Sequence, residues 1–436
     1  MEYRNLTPEL KSELQQIAKA RTERKIIPGK DYIPASGKVM YEKDLLAGVD
    51  AVLDGWLTGG RFNREFEARL AGMMGSKRAL TVNSGSSANL LAVATLASPR
   101  LGVRALKPGD EIITVSSGFP TTVNPILQYR CVPVFVDVQI PNYNIDTAML
   151  EEAVSPKTKA VMLAHTLGNP FDLDAVTAFA EKHDLWIIED NCDALGAEFG
   201  GKKTGSIGHL GTCSFYPAHH ITMGEGGALL INDPGLIRAA ESLRDWGRDC
   251  WCETGHDNTC GKRFSGQHGK LPFGYDHKYV YSERGYNFKI TDIQAAIGLS
   301  QLDSLNNFIE KRRKNHQYLT KRLNALLGDS IITDRVHPGA DPAWFGCTVT
   351  LDKEYSGKRH ELLQYMECKK VGSRLLFAGN ILKQPGYLDI PHRVAGNLRN
   401  TDRVMNDTFW VGIWPGLGTE HLDYIAETMA AFFSDR

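Results

Sequence analysis

The chain has 436 residues, of which 42% are hydrophobic and 23% charged, and its formal net charge is −1. A near-neutral chain lacks the basic excess that nucleic-acid binding requires, and no apolar run reaches the roughly 20 residues that cross a bilayer. The polar N-terminus has no signal-peptide core. We therefore predict a cytoplasmic protein whose eight cysteines are thiols or metal ligands rather than disulfides.

The N-terminal region predicts an amphipathic helix over Thr7–Arg24, an extended arm, and a second helix over Glu42–Leu57. After residue 78, short apolar runs alternate with longer amphipathic segments. This alternation predicts an α/β fold with a mostly parallel sheet between helices. The predicted strands are Arg78–Val82, Glu111–Val115, Val132–Val136, Lys159–Ala164, Leu185–Ile188, Thr212–Tyr216 and Ala228–Ile231.

Residues 249–281 interrupt this alternation with a long segment rich in Gly, Cys, His and Asp. A loop of this length inside a compact domain is usually functional. The amphipathic helix Thr291–Ile309 follows, and the composition then changes to a smaller α+β unit. We predict an N-terminal helix and arm over residues 1–40, a large domain over residues 41–310 that contains the insertion 249–281, and a small domain over residues 311–436.

The stretch Thr212–Gly227 holds the main candidates for catalysis. An apolar strand leads into a tight turn, then into His219 and His220, and then into a glycine-rich exit. Loops at strand ends carry much of the chemistry of α/β proteins. Because an imidazole transfers protons near neutral pH, this stretch predicts a general acid–base site.

Two other strand ends carry polar groups. In Asn83–Asn89, Gly85 lets the backbone turn, and the helix that follows offers free N–H groups to an anion. Taken alone, this stretch fits an ordinary serine N-cap better. Glu189 and Asp190 close the apolar strand LWIIED, where a carboxylate faces the ligand crevice of this fold class. A helix-capping acid or a buried ion pair is an equal alternative.

Four cysteines have the spacing C-x57-C-x-C-x7-C: Cys192, Cys250, Cys252 and Cys260. Four thiolates suit a zinc ion or a 2Fe–2S cluster, and buried unliganded thiols are a third interpretation. Spacing alone favours zinc. The position of Cys192, two residues after Asp190, favours a redox cluster beside the ligand. The other four cysteines show no paired spacing and are interpreted as small apolar residues.

The order of the motifs SGSSAN, GFP, EDNCDALGA, SFYPAHH and GYNFKITDIQAAIG resembles the DegT/DnrJ/EryC1 sugar aminotransferase family. The resemblance implies the fold of type I pyridoxal-phosphate (PLP) enzymes, with a mostly parallel sheet in the large domain and a smaller α+β C-terminal domain. It also implies a homodimer with shared active sites. The implied cofactor contacts are Gly85, Ser86 and Ser214 to the phosphate, Phe119 to the ring face, Asp190 to the ring nitrogen, and Asn287 to the phosphate of the neighbouring subunit.

Three positions depart from the family pattern. His219 stands where the family has the lysine that holds the cofactor covalently, Asp193 where it usually has His or Gln over the ring, and Tyr216 where a His is common. Without the lysine, the cofactor is expected to bind non-covalently in its amine form, pyridoxamine phosphate (PMP). His219 is then the expected catalytic base, and His220 a neighbour with a structural or substrate-binding role.

The four cysteines, together with SFYPAHH, RDWGRDCWC and GSRLLFAG, resemble the family's iron–sulfur 3-dehydrases of the 3,6-dideoxyhexose pathways. This resemblance implies removal of the C3 hydroxyl from a CDP-4-keto-6-deoxyhexose in O-antigen biosynthesis. It further implies a 2Fe–2S cluster and a separate NAD(P)H-dependent flavin/iron–sulfur reductase. Phe345, at the start of the small domain, is expected to close over the sugar or to pack in the core.

Three alternatives stay open on the sequence. An ordinary nucleotide-sugar aminotransferase is disfavoured because its lysine would be missing. A clusterless PMP-dependent dehydratase of the colitose type is disfavoured by the four cysteines. A non-catalytic protein of the PLP fold, which would bind a nucleotide sugar or sense redox state, predicts binding without turnover.

Overall fold

The computed structural model describes residues 3–22, 25–252 and 255–434, so the predicted end of the first helix at Arg24 lies outside it. No helix in these ranges combines the length and apolar character needed to span a membrane. The α-helices are α1 (Pro8–Thr22), α2 (Glu42–Leu53), α3 (Arg61–Met74), α4 (Gly85–Leu96), α5 (Pro120–Gln128), α6 (Leu150–Ala153), α7 (Leu173–Lys182), α8 (Ile237–Arg244), α9 (Asp292–Leu302), α10 (Leu305–Leu327), α11 (Arg359–Cys368), α12 (Arg399–Asp407) and α13 (Thr419–Ser434).

The strands form three sheets. They are β1 (Arg78–Val82), β2 (Glu111–Val115), β3 (Val132–Val136), β4 (Thr158–Ala164), β5 (Trp186–Asp190), β6 (Glu198–Phe199), β7 (Lys202–Lys203), β8 (Leu210–Ser214), β9 (Gly227–Ile231), β10 (Ile331–Thr333), β11 (Ala340–Asp341), β12 (Gly346–Leu351), β13 (Ser373–Leu375), β14 (Arg393–Val394) and β15 (Thr408–Gly412).

The large sheet has eight strands in the order β1-β9-β8-β5-β4-β2-β3-β14. Strand β9 runs antiparallel to both of its neighbours, β1 and β8, and the other pairs are parallel. Helices cover both faces. Ile112 of β2 packs into the core that contains α4, whereas the next residue, Ile113, packs into the core that contains α7. The predicted type I α/β fold, with its mostly parallel sheet between helices, is confirmed.

A second sheet, in the order β10-β12-β15-β13, is antiparallel and packs against α10, α11 and α13. Two short strands join the C-terminal part of the chain to the preceding part. β14 extends the large sheet by pairing in parallel with β3, and Arg393 of β14 pairs with Glu111, with Nη2 and Oε2 2.8 Å apart. β11 pairs with β6.

Two predicted helices differ from the observed ones. The second helix ends at Leu53 instead of Leu57, and α3 follows after Gly59 and Gly60, a helix that the sequence analysis did not identify. The helix predicted over Thr291–Ile309 begins as expected, because Thr291 and Gln294 form a capping box. It breaks at residues 303–304, and α10 continues to Leu327. The apolar spacing continues across this break, so periodicity alone does not reveal it.

Candidate active site

A cavity of about 390 Å³ opens where β4, β5 and β8 end and α4 begins. This is the crevice at the carboxyl ends of parallel strands where α/β proteins bind ligands. Its walls come from the part of the chain that forms the large sheet and from the C-terminal part that forms the second sheet. The lining residues are Ser36, Gly85, Ser86, Asn89, Phe119, Thr121, Ala164, Leu167, Asp190, Cys192, Asp193, Ser214, Tyr216, Ala218, His219, Phe345, Arg374, Leu375, Phe377 and Trp410.

Asp190 is fixed at the floor of the cavity by several donors. Asn89 Nδ2 and Thr122 Oγ1 donate to its Oδ2 at 2.8 and 2.6 Å, and the backbone N–H of Cys192 donates to Oδ1 at 3.2 Å. Thr212 Oγ1 donates to Asn89 Oδ1 at 2.7 Å, which fixes the orientation of that amide. The carboxylate is therefore oriented before any ligand binds.

Glu189, the neighbour of Asp190, has a different role. Its carboxylate is fully buried and accepts the backbone N–H groups of Gly205, Ile207 and Gly208 at 2.6–2.8 Å, with His165 Nε2 at 3.0 Å. Of the two acids that close β5, Asp190 lines the cavity and Glu189 holds a loop in place.

The first turn of α4 forms a narrow cradle at one end of the cavity. A Cβ atom on Gly85 would lie only 2.5 Å from Ser214 Cβ and 2.9 Å from Cys192 Sγ, so a side chain larger than hydrogen does not fit there. Ser84 caps the helix by accepting the N–H of Ser87 at 3.1 Å, and Ser86 is exposed to the cavity. Free backbone N–H groups and hydroxyls at a helix N-terminus suit a phosphate.

His219 and Asp193 face each other at the cavity wall. His219 Nδ1 lies 3.3 Å from Asp193 Oδ1, and the two side chains are 15% and 14% exposed. The contact is not an aligned hydrogen bond, since Nδ1 has no such partner among the described residues. The His219 ring also contacts Phe345, with ring centroids 5.2 Å apart. With Nδ1 towards Asp193, the Nε2 atom is left for a ligand.

His220 points away from the cavity. It is 2% exposed, and its Nε2 lies 2.8 Å from the carbonyl oxygen of Ala343. Burial, and after it the Arg312 guanidinium, lower the pKa of His220 well below the usual value. Of the two roles expected for this residue, these contacts are those of a structural one.

Asn287 does not line the cavity either. It is exposed, and it forms a backbone bridge with Asp245 on the segment that leads into the cysteine-rich loop. Within one chain, this side chain makes no contribution to the cavity.

Aromatic rings frame the entrance. Phe119 is 49% exposed and packs edge-on against Phe377, and Tyr216 is 52% exposed.

The sequence analysis had not assigned roles to Asn89, Thr122, Arg374, Phe377 or Trp410. Asn89 stands inside the quoted SGSSAN motif, and Arg374 and Phe377 stand inside GSRLLFAG, so these motifs contained three of the five residues.

The four predicted metal ligands are divided between two places. Cys192 lines the main cavity, whereas Cys250 and Cys252 line a second cavity of about 140 Å³. The backbone N–H of Cys252 donates to Cys250 Sγ at 3.4 Å. Burial raises the pKa of Cys252, but hydrogen bonds with Thr259 and Cys260 outweigh it and lower that pKa to about 6.

Burial and the Asp190 carboxylate raise the pKa of the Cys192 thiol. Among the described residues, the three-residue groups whose ligand atoms all lie within 4.8 Å of one another are Asp249–His268–His277 and His316–Asp334–Cys347. Neither group contains any of the four cysteines, so the described chain does not assemble a four-thiolate site.

Comparison with known proteins agrees with the fold. Residues 40–430 match the DegT/DnrJ/EryC1/StrS aminotransferase family. The chain belongs to this family.

Two relatives in the DegT/DnrJ/EryC1/StrS family share about half of the residues. The lipopolysaccharide biosynthesis protein RfbH of Salmonella typhimurium is 53% identical over 435 residues, which cover 99% of each chain. The dTDP-4-dehydro-2,6-dideoxy-D-glucose 3-dehydratase of Saccharopolyspora spinosa is 48% identical and covers 93% of this chain and 87% of its own.

Solved structures of related dehydratases superpose on most of the chain. GDP-4-keto-6-deoxy-D-mannose-3-dehydratase of E. coli with bound hydrated PLP has a TM-score of 0.81 at 28% identity, over 93% of this chain and 100% of that one. A histidine-to-asparagine mutant of GDP-4-keto-6-deoxymannose-3-dehydratase (ColD) with bound GDP-perosamine has a TM-score of 0.82 at 28% identity, over 92% and 100%.

Proposed function

We propose that the chain is a PMP-dependent 3-dehydratase that removes the C3 hydroxyl of a nucleotide-linked 4-keto-6-deoxysugar in dideoxysugar and lipopolysaccharide biosynthesis. The observation that carries the proposal is the His219–Asp193 pair in the cavity that Asp190 floors. No lysine is among the described lining residues, so the covalent attachment that an aminotransferase needs has no candidate there. Relatives named as sugar 3-dehydratases support the same reaction class.

The residues present fit the cofactor. Gly85, Ser86 and Ser214 line the cavity at the N-terminus of α4, where free N–H groups and hydroxyls suit a phosphate. Asp190, which three donors hold, has the position to pair with a protonated ring nitrogen. Phe119 leaves about half of its surface free for a ring face.

When bound, PMP supplies an amine for the C4 ketone of the sugar and a ring that withdraws electrons. Asp190 keeps the ring nitrogen protonated. His219 takes a proton at the cofactor methylene carbon, since an imidazole can accept and return a proton near neutral pH. Asp193 faces Nδ1 and so favours the tautomer whose Nε2 is free to accept that proton. Phe345 keeps water away from this edge of the site.

The histidine assignment is tested by replacing each histidine with asparagine. His219→Asn should lower loss of the C3 hydroxyl and exchange of the cofactor methylene proton with solvent deuterium by roughly 10²–10⁴-fold. His220→Asn, the adjacent control, should retain most of both activities, because its ring lies outside the cavity. Intact exchange in His219→Asn together with its loss in His220→Asn would contradict the assignment. Steady ligand binding without any loss of the C3 hydroxyl in the unmodified protein would instead support the non-catalytic alternative.

Replacing His219 with lysine tests whether residue 219 lies within reach of the cofactor. His219→Lys should hold PLP covalently, because the side chain at position 219 lines the cavity beside Asp190. Borohydride reduction followed by mass spectrometry should find the cofactor on Lys at that position. Absence of the adduct, with PLP bound, would argue against the predicted geometry.

The nucleotide of the substrate is a finer part of the proposal. We assign CDP on the resemblance alone, whereas the names of the relatives contain dTDP and GDP sugars. Arg374 is the one Lys or Arg among the described lining residues and suits a diphosphate. Comparison of kcat/KM for CDP-, dTDP- and GDP-linked 4-keto-6-deoxysugars decides the nucleotide. A tenfold or greater preference for CDP is expected, and an equal preference for dTDP would overturn the assignment.

The iron–sulfur cluster and its reductase are retained as proposals that rest on the cysteine pattern. Since the described chain does not bring the four thiols together, no electron-transfer step is derived from them. Anaerobic visible spectra with iron and sulfide counts provide the test. Two irons per chain would support the cluster. One zinc would contradict it, and turnover without metal would favour the clusterless type, which needs no separate reductase.

A further inference from the structure

A buried arginine lies directly behind the proposed catalytic histidine. Arg312 of α10 is 1% exposed and is the largest of the fully buried side chains of the described structure. No described carboxylate lies within ion-pair distance of it. Burial without such a partner lowers the pKa of Arg312 to about 10. A buried, incompletely neutralised charge costs stability, so its presence calls for an explanation.

The guanidinium connects two loops through their backbones. Its Nη2 donates to the carbonyl oxygens of Ala218 and His219, both at 3.3 Å. Its Nη1 donates to those of Trp344 and Phe345, at 3.4 and 3.0 Å. One side chain thus joins the loop that carries the proposed base to the wall that faces it.

Hydrogen bonds within the loop around His219 run from His219 N–H to Tyr216 O and from Met223 N–H to Phe215 O, both at 2.9 Å. The loop lies outside helix and strand, between β8 and β9. A second connection runs parallel to the first, from the buried His220 Nε2 to the carbonyl oxygen of Ala343. Residues 218–220 and 343–345 are therefore joined from the interior, on the side away from the cavity.

The charge of Arg312 also reaches the partner of the base. Asp193 is close enough for its carboxylate to stabilise the buried guanidinium. The same carboxylate lies 3.3 Å from His219 Nδ1, so Asp193 lies between the buried guanidinium and the proposed base. Arg312 itself does not line the main cavity.

We propose that Arg312 is a positioning residue, which holds the His219 backbone against Phe345 without touching cofactor or substrate. This inference rests on the proposed function. Since a misplacement of about 1 Å in a catalytic group can cost 10²-fold in rate, the contribution of Arg312 should appear in kcat.

The test compares Arg312→Met, Arg312→Lys and the control Arg313→Met. Arg313 is the neighbouring residue of α10, half-buried and ion-paired with Asp341. Arg312→Met should lower kcat about 30–100-fold, while KM and the affinity for PMP, measured by titration, change less than threefold. Arg312→Lys keeps the charge but cannot donate to four carbonyls, so it should recover part of the rate. Arg313→Met should retain the unmodified rate.

Each outcome separates this inference from the function it rests on. If the unmodified protein shows no C3 loss and no methylene exchange, the proposed function fails. If that protein is active and Arg312→Met keeps its kcat, the positioning role fails. Parallel loss of PMP affinity and kcat in both Arg312 variants, or failure of both to fold, would assign Arg312 a general structural role and overturn the inference.

Discussion

Asp193 Oδ1 lies 3.3 Å from His219 Nδ1. We propose that this carboxylate fixes the tautomer of the catalytic base. An amide there can donate as well as accept, and would therefore allow the tautomer that leaves Nε2 protonated and unable to act as a base. Asp193→Asn should lower kcat by roughly 10²-fold with PMP affinity unchanged. The exposed Asp389→Asn is the control, and the measurement is steady-state turnover. Unchanged turnover in Asp193→Asn would show that the pair is incidental.

His220 should make stability depend on pH. Because the pKa of His220 is lowered in the folded state, the unfolded chain binds the proton more tightly below the unfolded pKa of about 6.5. The stability contribution of the neutral ring is therefore complete above pH 6.5 and is lost as the pH falls below it.

Denaturant unfolding at pH 7.5, 6.5 and 5.5 measures this effect. Below pH 6.5, the contribution of His220 to the slope should approach about 1.4 kcal/mol per pH unit, the value for one proton. The variant His220→Gln should lose this part of the slope. The same acid sensitivity in His220→Gln and in the unmodified protein would assign it to other groups.

At the scale of the helices and strands, the start of α4 depends on the absence of a side chain at residue 85. Gly85→Ala would force a Cβ to within 2.5 Å of Ser214 Cβ, which is held at the end of β8. We expect at least a tenfold loss of PMP affinity, because Ser214 must move out of the phosphate cradle. The matched control is Gly72→Ala in α3, where a Cβ meets no atom within 4 Å.

The control has its own expected result. Alanine should raise the stability of α3 by up to about 1 kcal/mol and leave cofactor binding unchanged. Isothermal titration of both variants with PMP gives the two affinities. Equal affinities for Gly85→Ala and Gly72→Ala would remove the argument for a phosphate cradle at α4.

The elements that the sequence could predict are those with a strong local signal. The strands β1, β2 and β3 coincide with their predicted ranges, because each is a short run of largely apolar residues beside a turn. Helix α3 was missed although its buried residues Phe62, Phe66, Leu70 and Met74 recur at helical spacing, so in this case a local signal was present. The antiparallel direction of β9 could not be predicted, because strand direction depends on non-local pairing with β1 and β8.

In the candidate site, too, the residues that could be predicted are those with a local sequence signal. Asp190, Ser214 and His219 were found because each stands in a compact motif at the end of a strand. The donors to Asp190 were not, since Asn89 and Thr122 are 101 and 68 residues away from it in sequence. Contacts of that kind are created by the fold and leave no local pattern.

For the whole molecule, we predict a homodimer with shared active sites. Helix α2 and the residues after it expose Val52 (50%), Leu53 (48%), Trp56 (45%) and Leu57 (53%), a grouping that a stable interface would bury. Asn287, which is outside the cavity of its own chain, would then reach a neighbouring one. Light scattering should give about twice the chain mass of 48.3 kDa.

Two variants test this prediction further. Val52→Glu combined with Leu53→Glu should give monomers that bind PMP at least tenfold more weakly. Val103→Glu, at a position that is 94% exposed in another region, should remain dimeric. A monomeric unmodified protein with full activity would contradict the shared site.

Strand β14 has a consequence for how the enzyme admits its ligands. The C-terminal part of the chain supplies Arg374, Phe377 and Trp410 to the cavity, yet it also contributes β14 to the large sheet and β11 to a pairing with β6. Because the C-terminal part of the chain pairs with preceding strands at two points, we expect it not to rotate away from them as a hinged unit. We therefore expect ligands to enter past exposed side chains at the rim, such as Phe119 and Tyr216, without a hinge motion of the C-terminal part.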